Sequence, residues 1–275
     1  MSALRRHPLV AFFVLSYLLT WSLVPVGSFF TPGPLLAAVI VIALTEGRPG
    51  YRRLWSRLTR WRVSWVWYAL AVGVPLSVHA LTIASNMALG AGAPSLAQLS
   101  PVSGVLLIFA VRLVNPLDGP LAEEPGWRGF AQPALQQGRT PFRATLILGL
   151  LVAGWHLPLW LLPAFGAGPT DVISDSLASV AVTFWYAWLF NHASGSVLLT
   201  LIAHAVEGSL QTEMYWSTGP AAPRTTLLYA AFWCVVAVVL VLADRKLWWP
   251  PQEGAAPLRS ARSASPGHQP SRLTS

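Results

Sequence analysis

Two adjacent glutamates set the chemical question for this chain. They stand in the block Glu123-Glu124-Pro125-Gly126-Trp127-Arg128-Gly129-Phe130, which is flanked by apolar runs. Neighbouring carboxylates repel, and each loses hydration if the block enters the membrane, so at least one needs a partner. Arg128 follows Glu124 by four residues, one helical turn, so these two can pair on one face. Glu123 then points about 100° away, with no partner built into the block. A desolvated carboxylate holds a proton more tightly than one in water, which suits a general base near neutral pH. The plainer reading is a charge cluster that steadies a helix end, and spacing alone leaves both open.

Pro125 predicts a break or kink beside the pair, with Pro116, Gly119 and Pro120 just upstream. A helix that begins at Pro125 would aim its positive end at the carboxylates. Broken helices are tolerated at membrane depth where they line a water-holding cavity.

Two histidines join the glutamates. His156 lies mid-run in Gly154-Trp155-His156-Leu157-Pro158, where Pro158 can free a carbonyl or admit water. His204 lies one turn after Thr200 and one turn before Gly208, with Glu207 on the same face. His204 and Glu207 are expected to orient each other. Asn191 and Ser194, in Asn191-His192-Ala193-Ser194-Gly195-Ser196, suit a tight turn and helix cap. Each histidine alone also reads as a buried ring satisfied by one neighbouring helix. Taken together, one glutamate and two histidines from three helices suit two chemistries. Glu123, His156 and His204 can hold a metal with an open water position, zinc being the expected ion. Alternatively, Glu123 activates water directly while histidine donors steady an oxyanion. The zinc signature His-Glu-x-x-His is absent, so a metal is not required.

The elements that position these residues are membrane helices. The chain has 275 residues, 54% hydrophobic and only 10% charged, against about 25% charged in soluble domains. The mean hydropathy is +0.54. So few charges cannot cover a water-soluble globule of this size, and lipid must solvate much of the surface. Apolar runs at 8–28, 33–45, 64–88, 101–117, 143–165, 175–190, 196–213 and 225–243 predict an all-α polytopic bundle of about eight helices around a membrane-embedded polar site. Trp61, Trp65, Trp67, Trp185, Tyr186, Trp188, Trp248 and Trp249 read as an aromatic belt.

Net charge is +8, but the basic residues cluster between apolar runs, which argues against nucleic acid and for topology signals and contact with anionic lipid. Eight crossings from a cytoplasmic N-terminus put every one of the 18 basic residues on that side except Arg112, Arg128 and Arg224. This predicts a plasma-membrane protein with both termini cytoplasmic. Residues 49–62, with Leu54, Trp55, Leu58 and Trp61 among arginines, read as an amphipathic helix in the interface. Residues 1–249 form one membrane domain with its motifs within 101–213, and 250–275, rich in Pro, Ser, Ala and Arg, read as a disordered tail. The first run, longer than a signal-peptide core, reads as a membrane helix. The single Cys234 excludes an intrachain disulfide. No internal repeat is visible, which weakens a transporter with Arg112, Glu123 and Glu124 as its ion path.

The order Glu-Glu-x-x-x-Arg, then a membrane histidine, then a second one resembles the CPBP family, the CAAX prenyl-protease and bacteriocin-processing membrane proteases also called Abi or type II CAAX endopeptidases. Trp155-His156-Leu157-Pro158, Asn191 to Ser196 and the arginine-rich segment before Trp65-Val66-Trp67-Tyr68 extend the resemblance. It implies an intramembrane endopeptidase acting on a membrane protein or peptide, with Glu123 and His156 activating water. It further implies that Glu124 and Arg128 hold the site, and that His204 is an oxyanion or ligand residue. The chain departs from the family at Gly208, where an asparagine is usual, and at Val152, where an aromatic is usual. With no side chain at 208, a donor must come from elsewhere, Glu207 and Gln211 being candidates. A member that has lost peptidase activity and serves as an immunity factor or scaffold is the competing reading.

Overall fold

Twenty or so apolar residues in a row leave a backbone in lipid no option but to bond to itself, so each run becomes a helix. The computed structural model describes residues 3–93, 102–162, 169–211 and 221–250. In chain order the elements are α1 (Ala3–Arg6), α2 (Pro8–Trp21), a 3₁₀ turn (Val24–Val26), α3 (Gly33–Thr45), α4 (Arg48–Leu58), α5 (Trp65–Ala88) and α6 (Val102–Val114). There follow α7 (Gly119–Gly126), a π turn (Trp127–Ala131), α8 (Gln132–Gln136), α9 (Pro141–Leu161), α10 (Pro169–His192), α11 (Val197–Gln211), α12 (Ala222–Ala243) and α13 (Arg245–Trp248). The described residues contain no strand.

Every predicted run is helical, but the runs differ in reach. Among the described residues, five spans are long and apolar enough to cross a membrane: Pro8–Val26, Trp65–Ala88, Pro141–Leu161, Val172–His192 and Pro223–Ala243. Helices α3 and α6 have 13 residues and α11 has 15. At 1.5 Å per residue these reach about 20 Å, short of the roughly 30 Å hydrocarbon core. Helix α7, with only eight residues, lies buried in the bundle, where its polar side chains meet others. Two apolar packs flank that region. One gathers α5, α10, α11 and α12 around Trp185, Leu199 and Trp233, and the other gathers α2, α3, the π turn and α9 around Phe12, Trp127 and Trp155.

The break expected at Pro125 takes a different form. The helix carrying the glutamates starts at Gly119, not at Pro125. Asp118 caps it, its Oδ1 accepting from the Gly119 N–H at 2.7 Å, and Pro120 sits in the first turn. Pro125 stays inside α7, and the disturbance of the ladder appears just beyond it as the π turn. The aromatic belt also needs correction. Trp61 and Trp65 are exposed, but Trp185 and Tyr186 are 1% and 3% exposed and Trp248 is fully buried. Helix α10 continues through these residues, so its last turns face α11 and α12 rather than headgroups. Helix α4 covers most of the predicted amphipathic segment, with Leu54 buried and Trp55 exposed. Ser196 rather than Asn191 or Ser194 caps α11, its Oγ accepting from the Leu199 N–H. Ser194 and Gly195 take left-handed φ of 57° and 77° in the turn before it. The tail beyond Pro250, residues 94–100 of the loop at 89–100 and residues 166–168 of the loop at 166–174 lie outside the described residues, and α10 already begins at Pro169.

Close backbone approach holds α7 in place. A methyl group on Gly126 would lie 2.6 Å from the Pro34 carbonyl oxygen and 2.8 Å from Pro34 Cβ on α3. Gly126→Ala is therefore expected to lower stability by about 1–3 kcal/mol. Gly73→Ala, where nothing lies within 4 Å, should be neutral or stabilising by up to about 1 kcal/mol. Thermal unfolding of the purified protein in detergent checks this, and equal shifts for the two variants would contradict the packing.

Candidate active site

Glu124 is the hub of the site. It is fully buried, and its Oε1 accepts from Arg128 Nη1 at 2.9 Å and from His204 Nδ1 at 2.9 Å. The first contact is the one-turn pair expected from spacing. The second joins α7 to α11 across 80 positions of sequence. A carboxylate oxygen only accepts, so His204 carries its proton on Nδ1 and turns Nε2 the other way. Arg128 is held on two further sides: Nη2 donates to Thr183 Oγ1 on α10, and its guanidinium carbon lies 4.7 Å from the centre of the Tyr186 ring. The same ring stacks on the His204 imidazole at 5.6 Å.

Glu123 projects from another face of α7, as one helical step dictates. Its Oε2 accepts from Trp127 Nε1 at 3.2 Å, so the partner missing from a count of charges is an indole one turn on. His156, on α9, points Nδ1 at the Val152 carbonyl, 3.0 Å away. A carbonyl only accepts, so Nδ1 again carries the proton and Nε2 offers a lone pair. That Nε2 lies 4.0 Å from Glu123 Oε2. Phe29 and Trp160 stack on the imidazole at 6.3 and 5.4 Å and fix its plane. A methyl on Gly119 would touch both Glu123 Oε1, at 3.3 Å, and His204 Nε2, at 3.5 Å. The two atoms therefore face one small space against bare backbone.

Glu123, Arg128, His156 and His204 all line a cavity of about 430 Å³, whose far side carries Glu207 and Tyr229. The five residues picked out by spacing are thus brought together, with Glu124 behind the wall. As placed, no three His, Cys, Asp or Glu side chains among the described residues converge as a metal-ligand set. His156 Nε2 and Glu123 Oε2, 4.0 Å apart, stand somewhat wider than the roughly 3.3 Å between two ligands of one tetrahedral zinc, and the Glu124 bond to Nδ1 leaves Nε2 of His204 facing the cavity. As placed, Glu123, His156 and His204 do not close into a zinc-ligand set.

Two expectations about α11 are corrected. Glu207 does not orient His204; it accepts from the Tyr229 hydroxyl on α12, because Glu124 already holds the imidazole. Gly208 does not leave a gap: a methyl there would collide with the Arg112 guanidinium of α6. The side chain of Gln211 lies outside the described residues. Sequence reasoning missed Tyr186 and Thr183. A run of aromatics near a span end looks the same whether it faces headgroups or the bundle interior. The one available signal was the helical register, which puts Tyr186 one turn from Thr183 along α10.

The comparisons with known proteins fall on this same region. Residues 101–210 match the type II CAAX prenyl endopeptidase Rce1-like family. A curated relative, the CAAX prenyl protease 2 of Methanococcus maripaludis, is 23% identical over 133 residues, covering 46% of this chain and 47% of the relative. The chain thus spans about half the length of the curated relative it matches. Glu123, Glu124, Arg128, His156 and His204 all lie inside this matched segment, so the region that holds them is similar to the Rce1-like type II CAAX prenyl endopeptidases.

Proposed function

We propose that this chain is an intramembrane endopeptidase that hydrolyses peptide bonds of membrane-associated substrates with a water activated by Glu123 and His156. The observation that carries the reading is the pair of acceptors, Glu123 Oε2 and His156 Nε2, held 4.0 Å apart on one cavity wall. That gap is too long for a direct hydrogen bond, and it matches the reach of one water molecule donating to both. A water bound this way presents its lone pairs to the cavity. Glu123 takes its proton as the oxygen attacks the peptide carbonyl, and later gives that proton to the leaving amine. His204 enters the cycle as an imidazolium paired with Glu124, donates a hydrogen bond from Nε2 to the developing oxyanion and keeps that proton throughout, while Glu124 fixes the ring through Nδ1. Arg128 neutralises Glu124, so the carboxylate that orients His204 does not compete for the reacting proton. The products are a carboxylate and an amine.

The name of the curated relative points to prenylated CAAX peptides as the first substrate class to test, with unlipidated hydrophobic peptides of the pheromone type as the second. In detergent or liposomes, Glu123→Gln should lower kcat by about 10³-fold and His156→Ala by about 10²-fold, within the range of general acid–base catalysis. Unchanged turnover in both would mean that the site is misassigned. If neither class is cleaved and Glu123→Gln also leaves the cellular role intact, the chain acts as a membrane scaffold. Exhaustive chelation should leave turnover within about twofold; loss restored by zinc would replace this reading with a metal-held water.

We also infer a plasma-membrane location with both termini cytoplasmic. The basic segments gather at one end of the bundle, which supports it: Arg5 donates to the Leu44 carbonyl, Arg57 to Gly129 and Arg60 to Ser194. Trp249 stacks on Phe142 at the same end. With Cys234 replaced by Ala, a Ser260→Cys tail should react with a membrane-impermeant maleimide only after cells are opened. Labelling of intact cells would reverse the orientation.

A further inference from the structure

Arg112 and Gly208 take no part in the proposed chemistry, yet they meet. Gly208 lies one turn beyond His204, on the same face of α11. A methyl group there would collide with Arg112 Nη1 and lie 3.3 Å from its guanidinium carbon. The guanidinium therefore occupies the space that a side chain at 208 would fill, and a larger residue there would have to push it aside. From this seat Arg112 Nε lies 3.6 Å from Asp118 Oδ2, with the arginine side chain mostly shielded and the aspartate about one-third exposed. Asp118 uses its other oxygen, Oδ1, to cap α7 through the Gly119 N–H. Gly119 is the residue against which Glu123 Oε1 and His204 Nε2 are set. One cation thus touches α11 a turn from His204 and, through Asp118, the start of the eight-residue helix that carries Glu123.

We propose that Arg112 is a positioning residue: seated against Gly208 and paired with Asp118, it fixes α7 relative to α11 and so sets Glu123 against His204. This rests on the hydrolytic reading above for its effect on turnover, but the seat itself does not. The plainer account is a cation that only complements the carbonyl end of α6, where Arg112 occupies the last turn. That account gives Gly208 no role. The two differ in coupling, and coupling is read from a double-mutant cycle.

The cycle uses Gly208→Ala and Arg112→Leu in the full chain, with Asp118→Asn as a milder variant that keeps a capping oxygen while losing the charge. Misplacing a catalytic group by about 1 Å costs about 10²-fold in rate. Arg112→Leu and Gly208→Ala should each lower kcat by about 10- to 100-fold with KM changed less than about threefold, and Asp118→Asn should fall between these and wild type. The added methyl has nothing to displace once the guanidinium is gone, so Gly208→Ala should add less than about twofold in the Arg112→Leu background. Unfolding temperatures should show the same non-additivity. Additive losses in kcat and unfolding temperature, or a Gly208→Ala variant indistinguishable from wild type, would overturn the proposal. If Glu123→Gln retains turnover, hydrolysis by this site fails, and the seat of Arg112 is then decided by the unfolding temperatures alone.

Discussion

A carboxylate buried in the middle of an apolar bundle needs its charge compensated, and groups from two other places in the chain compensate Glu124. Arg128 reaches it from one turn away and His204 from α11, both at 2.9 Å on the same oxygen. Leaving such a charge without its partner would cost about 3–5 kcal/mol. Much of the remaining arrangement follows. Holding His204 by Nδ1 decides which nitrogen faces the cavity. Seating Arg128 requires Thr183 and Tyr186, so α10 is drawn to α7. With Glu124 and Arg128 mutually neutralised, Glu123 is the carboxylate of the pair that faces the cavity.

The helices that meet here are short for a reason. A helix crossing the full hydrocarbon core exposes its ends only at headgroups, where water solves every polar problem. Helices α3, α6 and α11, at 13 to 15 residues, end earlier, and α7 is shorter still. The buried residues of α7 and the π turn after it meet His156 of α9 and His204 of α11 inside the bundle. Polar backbone at that depth is tolerated only where protein or a wet cavity surrounds it. The 430 Å³ cavity beside Glu123 and His156 meets that condition. Glycines complete the assembly where backbones must touch, Gly126 against Pro34 and Gly119 against the reacting side chains.

The basic segment before α5 links this interior to the membrane surface. Arg57 reaches the Gly129 carbonyl at 2.6 Å, within the π turn behind the two glutamates, and a methyl on Gly129 would meet Leu54 of the same surface helix. A widened turn leaves backbone carbonyls without their usual helical donors, and a guanidinium from the interface supplies one. The helix that reads as a lipid anchor therefore also steadies the irregular stretch on which Glu123 and Glu124 depend.

Composition and periodicity alone determined that this chain is an all-α membrane bundle, because lipid admits no other use of such long apolar runs. Local spacing determined the Glu124–Arg128 pair, since four residues make one turn whatever surrounds them. The same logic picked out His156 and His204, as ionisable groups at membrane depth are seldom idle. Partners distant in sequence were settled only by the tertiary structure. Spacing offered Glu207 to His204, and the fold gave it Glu124 instead, because α7 packs closer to that imidazole than its own helical neighbour does. An aromatic run at 185–188 looked interfacial and proved interior, since register along one helix does not say which helix lies opposite. Gly208 looked like a missing donor; only three dimensions revealed that another helix fills its place with a cation.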